Sequence, residues 1–183
     1  MRHNTITAKI FLTLFAFGLI LWLGGAINRM NTAYDIYKPF SEMELKNGYS
    51  EAARVQTVKL FSYGAFYSQA GFFAATISLI ALSVLFRKDF NQNGWMFMAI
   101  ALFIIAVPWG IYESIMDLRL FYFIKNDNIS FDDKLITELF VYRFSKLSPW
   151  AMISYMSAVS SIAVIIWRPL QKISKEKTYE GEK

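Results

Sequence analysis

Apolar positions along this chain gather into four stretches, at about residues 10–27, 64–86, 95–115 and 150–167, with polar segments between them. A helix needs roughly 17–25 mostly apolar residues to cross about 30 Å of hydrocarbon. Lipid offers no partners for backbone N–H and C=O groups, so segments of this kind must be helical and packed together. The pattern predicts an all-α membrane protein. We read residues 1–183 as a single integral membrane domain, an antiparallel bundle of four transmembrane helices with two helix-containing outer loops.

The polar segments differ in kind. Arg87–Gly94 (RKDFNQNG) is short and rich in Asn and Gly, suited to a tight turn between antiparallel helices. The other two, 28–63 and 116–149, are long and mixed in charge, and each contains a helical pattern. Ser50 can cap a helix beginning Glu51-Ala52-Ala53-Arg54, with Ala52, Val55 and Val58 recurring along one face. No breaker separates that helix from the second span, so the two are expected to form one rod. In the later loop, Ser130 before Phe131-Asp132-Asp133 resembles a capping-box start. Leu135, Leu139 and Tyr142 are then expected to share a face, with Ile136, Phe140 and Phe144 nearby. Ser148-Pro149 restarts the chain, since Pro fits a first helical turn. Asn128-Ile129-Ser130 matches a glycosylation sequon, a triplet common by chance.

Small residues mark two helix faces. Gly64, Ser68, Gly71, Ala75 and Ser78 line one face of the second span, and Ala151, Ser154, Ala158 and Ser161 one face of the fourth. In lipid, small residues let helices approach closely, and that contact supplies the attraction. The partner helix can belong to the same chain or to another copy. The two regions also align at an offset of 86, which sets Ser68, Gly71 and Ala75 on Ser154, Ser157 and Ser161. Such a repeat would place a pseudo-two-fold axis along the membrane normal. Pro108 removes one helical hydrogen bond and is expected to kink the third span.

Polar groups inside the spans are few, and they fall at one depth: Asn28 and Arg29 on the first helix, Gln69 on the second, Glu113 on the third and Tyr155 on the fourth. An ionisable residue within a membrane is a functional hypothesis by default. Near the interface, where residue count places Glu113, a hydrated acid is the plainer reading. The residues are expected to form a polar cluster in which Arg29 neutralises Glu113 or Asp117, because an unpaired carboxylate is costly to bury.

Composition then removes whole classes. The chain has no cysteine, which excludes disulfides, thiol catalysis, iron–sulfur clusters and cysteine zinc sites. Its one histidine, His3, lies in the N-terminal tail, so paired-imidazole haem ligation fails as well. No phosphate loop or hydrolase motif occurs, and the pattern implies no metal and no cofactor.

Net charge is +5, but the excess basic residues sit largely in short segments flanking the helices, which speaks against nucleic acid as a partner. With both termini inside, the N-tail, the 87–94 connector and the C-tail hold nine Lys/Arg in 33 residues, against ten in the 70 residues of the two long loops. Positive charge is retained on the cytoplasmic side, so the expected orientation is N-in/C-in, in a bacterial inner membrane. Trp95 and Trp167 would mark the inner interface and Trp150 the outer. The first stretch has some marks of a signal peptide, but its apolar core runs on past cleavable length and is read as an uncleaved span.

Three functions follow in order of support. The first is a non-enzymatic protein that contacts another membrane protein, or further copies of itself, through its helices or outer loops, as an accessory subunit or immunity-type factor. Four spans, both ends inside and two outer loops of similar length resemble the plan of immunity proteins against pore-forming colicins. The resemblance is architectural and carries over no residues. The second is an oligomeric transporter or channel subunit, for which the Pro108 kink beside Glu113 is the one supporting feature. The third is a small enzyme acting on lipid or quinone, with Glu113 and Tyr155 as acid and base.

Overall fold

A computed structural model describes residues 2–38, 41, 44–87, 94–125, 129–132, 134–145 and 147–169. Residues 88–93 of the 87–94 turn, Asp133 and the sequon's Asn128 lie outside them. The described chain is almost wholly helical: α1 (Arg2–Tyr34), α2 (Glu51–Leu85), α3 (Gly94–Ile124), a short α4 (Lys134–Ile136) running through a π-helical turn (Thr137–Val141) into α5 (Tyr142–Ser145), then α6 (Ser148–Trp167). Four of these are long and apolar enough to cross a membrane.

The helices are longer than the apolar stretches. α1 continues past residue 27 to Tyr34, and α3 past 115 to Ile124. Hydropathy marks the lipid-compatible part of a helix, whereas the helix itself ends where its backbone finds a cap. Lys46 supplies one such end, its ammonium donating to the Tyr34 and Asp35 carbonyls at 3.0 Å each. α2 is one unbroken rod. Ser50 caps it by accepting from the Ala53 N–H at 3.3 Å, with Glu51 at the positive end of the dipole. α3 stays helical through Pro108 rather than ending there. α6 opens at Ser148 with Pro149 in its first turn, and is closed by Arg168, whose φ of 45° puts it in the left-handed region.

Two cores stack along the long axis. One gathers Phe15, Leu19 and Trp22 of α1 with Phe72 and Ala75 of α2, Phe103 and Ala106 of α3, and Ala158 of α6. The other joins the end of α1, the start of α2, the end of α3 and the α4–α5 segment, around Tyr37, Val58, Phe61, Leu120, Ile136 and Phe140. The second core forms a cap. An antiparallel bridge between Tyr37 and Leu45 folds the first long loop onto it. Buried Tyr37 has its phenol pushed up to about 12, because burial penalises the phenolate and nearby Arg54 only partly offsets that.

Two expectations about the cap need correction. α4 starts at Lys134, and Ser130 serves a turn instead: its hydroxyl accepts from Asp132 N–H at 3.4 Å and donates to Glu51 Oε1 at 2.6 Å. The buried face is also rotated by one position. Ile136, Leu139, Phe140 and Arg143 are buried, while Leu135 and Tyr142 are exposed. Counting apolar residues favoured the face with Leu135 and Tyr142, because it did not consider that an arginine could belong inside. Among the tryptophans, Trp150 and Trp167 are exposed, and Trp95 is buried beneath the Arg168 guanidinium, 5.4 Å from its ring centroid.

Both small-residue faces pack within the chain. Gly71 presses against α1 so closely that a Cβ there would lie 2.6 Å from Gly18 O and Trp22 N. Ser68, Ala75 and Ser78 are buried beside it, and Gly64 meets the stem of Arg29. On α6, Ser154, Ala158 and Ser161 are buried against α3, and Ala151 is half-buried.

Candidate functional site: a buried ionic network between the two cores

Between the cores lies a layer of charge. Asp117 of α3 sits at its centre. Its Oδ1 accepts from Arg29 Nη2 at 2.5 Å and from Arg143 Nη1, and its Oδ2 accepts from Arg29 Nη1 at 2.9 Å and Gln69 Nε2 at 2.8 Å. One turn earlier on α3, Glu113 Oε1 accepts from Arg143 Nη2 at 2.6 Å and from the Tyr155 hydroxyl at 2.8 Å. Arg29 also donates through Nε to the Phe61 carbonyl at 3.2 Å and lies 4.1 Å from the Phe61 ring centroid. The Ser114 hydroxyl bonds to Gln69 Oε1 and reaches the Gly110 carbonyl at 2.7 Å.

Five elements therefore meet here: α1, α2, α3, α5 and α6. Arg29, Glu113, Asp117 and Arg143 are 3–6% exposed. Isolated charges in such a place would cost several kcal/mol each, so burial is tolerable only because two guanidinium and two carboxylate groups cancel and bond to one another. Burial alone would lower the pKa of Arg143, but the Asp117 and Glu113 carboxylates outweigh it and hold the guanidinium above its ordinary value. Arg143 stays charged at any pH the fold survives.

The structure brings together four residues that the sequence singled out, Arg29, Gln69, Glu113 and Tyr155. Asn28 is not among them. It is exposed, and its backbone carbonyl accepts from Thr32 Oγ1 at 3.1 Å. Adjacent helix positions differ by about 100°, so Asn28 and Arg29 cannot both face the same partner. Glu113 is a buried ion-paired group rather than a hydrated acid near an interface. Tyr155 lies seven residues into α6, roughly 10 Å along it at 1.5 Å per residue, which sets the layer inside the apolar length of that helix.

Arg143 and Ser114 were missed, and Asp117 was weighed only as a counter-charge. Two signals were present. Glu113 and Asp117 are spaced four apart and so share a helix face. Arg143 falls on the same face as Ile136, Leu139 and Phe140, where a solvated arginine would be out of place.

No protein family, curated protein or solved structure matches this chain. The reading of the site rests on its own geometry.

Three of the four carboxylate oxygens in that geometry are saturated with hydrogen bonds. Each Asp117 oxygen accepts two hydrogen bonds, and so does Glu113 Oε1. A general base needs a free lone pair directed at a substrate proton. Glu113 Oε2 alone among these oxygens is without a partner among the described residues.

Proposed function

We propose that this protein is a non-enzymatic integral membrane protein of a bacterial inner membrane, N-in/C-in. Its four spans form an antiparallel bundle that presents a rigid outer cap to another membrane protein, in the manner of an accessory subunit or immunity-type factor. The observation that carries this reading is the cap. α2 is 35 residues long, about 52 Å at 1.5 Å per residue, whereas about 30 Å suffices for the hydrocarbon. Its first turns therefore extend past the bilayer together with the end of α3 and the α4–α5 segment, packed on a continuous core. The ionic layer ties that cap to every span.

Exposed apolar side chains on the cap, Leu135 and Tyr142, offer the contact surface. Photo-crosslinkers placed at these positions in native membranes should give one discrete protein adduct, and one at Ile80, on the opposite half of α2, should give none. An adduct of twice the chain's mass would make the partner a second copy. Failure of both cap positions to crosslink any protein would remove the reading. Orientation is tested separately: a reporter fused after Lys183 should behave as cytoplasmic, and one inserted near Asn47-Gly48 as external.

A further inference from the structure

α1 packs chiefly on α2, and α6 on α3, so α1 and α6 are left with little contact between them. A cavity of about 880 Å³ opens there, at the level of the ionic layer. Its size falls within the roughly 300–1,000 Å³ of small-molecule sites. Ile27 and Met30 of α1 and Met152 and Met156 of α6 line it and are more than 40% exposed, so the mouth lies on an apolar outer face. The lining is mostly apolar, and its few polar side chains include Glu113 and Arg143.

We propose that this cleft binds a neutral amphiphile, an apolar tail with a hydroxyl head, entering sideways from the lipid. The walls choose the tail, since flexible methionines accommodate irregular apolar shapes. The inner wall chooses the head. Its two arginines and two carboxylates already cancel, so a charged head would arrive without a counter-ion in a place of low dielectric. Glu113, 4% exposed, still carries an unpartnered oxygen, Oε2. This oxygen is sealed from solvent and lacks a donor, so a hydroxyl head can supply one only as the side chains around it shift. Acylglycerols and long-chain or isoprenoid alcohols share this chemistry. The inference does not depend on the identity of any protein partner.

Trp109 lines the same cavity and reports on it. The protein in phosphatidylcholine nanodiscs would be titrated with bromine-labelled monoacylglycerol, isoprenoid alcohol, fatty acid and phosphatidylcholine, with tryptophan quenching as the readout. The expected result is saturable quenching by a hydroxyl-headed probe, reduced in Trp109→Phe, with the fatty acid and phosphatidylcholine giving only bulk-lipid quenching. Which of the two hydroxyl probes binds more tightly identifies the source. Ala26→Leu narrows the cleft without touching the ionic network and should weaken binding at least about tenfold, a 1.4 kcal/mol change, in a protein of unchanged melting temperature. If Ala26→Leu proves unstable, Ala151→Leu on the facing helix replaces it. Equal binding of the fatty acid, unaltered binding in the narrowed cleft, or no saturable quenching would each overturn the proposal.

Discussion

The hairpins α1–α2 and α3–α6 solve the same packing problem with different chemistry. Ser68 of α2 donates to the Trp22 carbonyl at 3.1 Å, and Ser154, 86 positions on, donates to Ala106 at 3.2 Å. Gly71 lies against Gly18 and Trp22, and its counterpart Ser157 donates to Leu102 at 2.5 Å. Ala75 meets Gly18, and its counterpart Ser161 donates to Ala99 at 2.8 Å. The first hairpin removes side chains until backbones touch. The second keeps them small and lets hydroxyls reach across to carbonyls. Close approach gains dispersion contacts that no added atom can improve, whereas an interhelical hydroxyl bond is a modest term that can be deleted without a clash. The two interfaces should therefore fail differently.

The largest effect should come from untying the hairpins from each other. Asp117→Ala leaves Arg29 and Arg143 sharing the single carboxylate of Glu113, and breaking a buried pair costs about 3–5 kcal/mol. Unfolding in detergent should register that loss, with tryptic cleavage at Arg143 as the cap loosens. A cost below about 1 kcal/mol would mean the hairpins hold together by apolar contact alone.

Next comes the direct comparison of equivalent positions. Gly71→Ala forces a Cβ into backbone and should cost about 1–3 kcal/mol. Ser157→Ala loses one interhelical hydrogen bond, about 0.6 kcal/mol. Equal costs would erase the distinction drawn here. Gly24→Ala sharpens it from the other side. A Cβ at Gly24 meets nothing within 4 Å, so this glycine of α1 should accept alanine with no loss and up to about 1 kcal/mol of gain in helix propensity.

An effect confined to alkaline pH separates the two loops, one of which brings a neutral Tyr37 into the cap and the other a charged Arg143. Tyr37 stays protonated in the fold until about pH 12, while an unfolded tyrosine ionises near 10. Stability contributed by the neutral phenol is full below pH 10 and is lost as pH rises from 10 to about 12. Tyr37→Phe should flatten that part of the pH–stability curve. An unchanged slope would show that the phenol is hydrated in the fold.

The spans were legible because hydropathy over 18 or more residues has few competing explanations. The rod of α2 was legible for a local reason, with Ser50 as cap and no glycine or proline before the span. The network was half legible. Depth along each helix brought Arg29, Gln69, Glu113 and Tyr155 to one level, but depth does not fix direction, which is why Asn28 was counted and lies elsewhere. Arg143 was hidden because it comes from a loop, where a basic residue ordinarily faces water. The π-helical turn before it left no sequence signal that we can name.

Arg29 and Asp117 are 88 residues apart in the chain. During synthesis at roughly 5–20 residues per second, α1 therefore emerges several seconds before its counter-charge exists, and Arg143 follows later still. Until then the arginine near the end of α1 can remain hydrated only by stretching toward the lipid surface. The last loop thus supplies, late in the chain, the second guanidinium that balances the layer. A chain that stops before α5 holds Glu113 and Asp117 against Arg29 alone, which leaves one negative charge of the layer without its counter-ion.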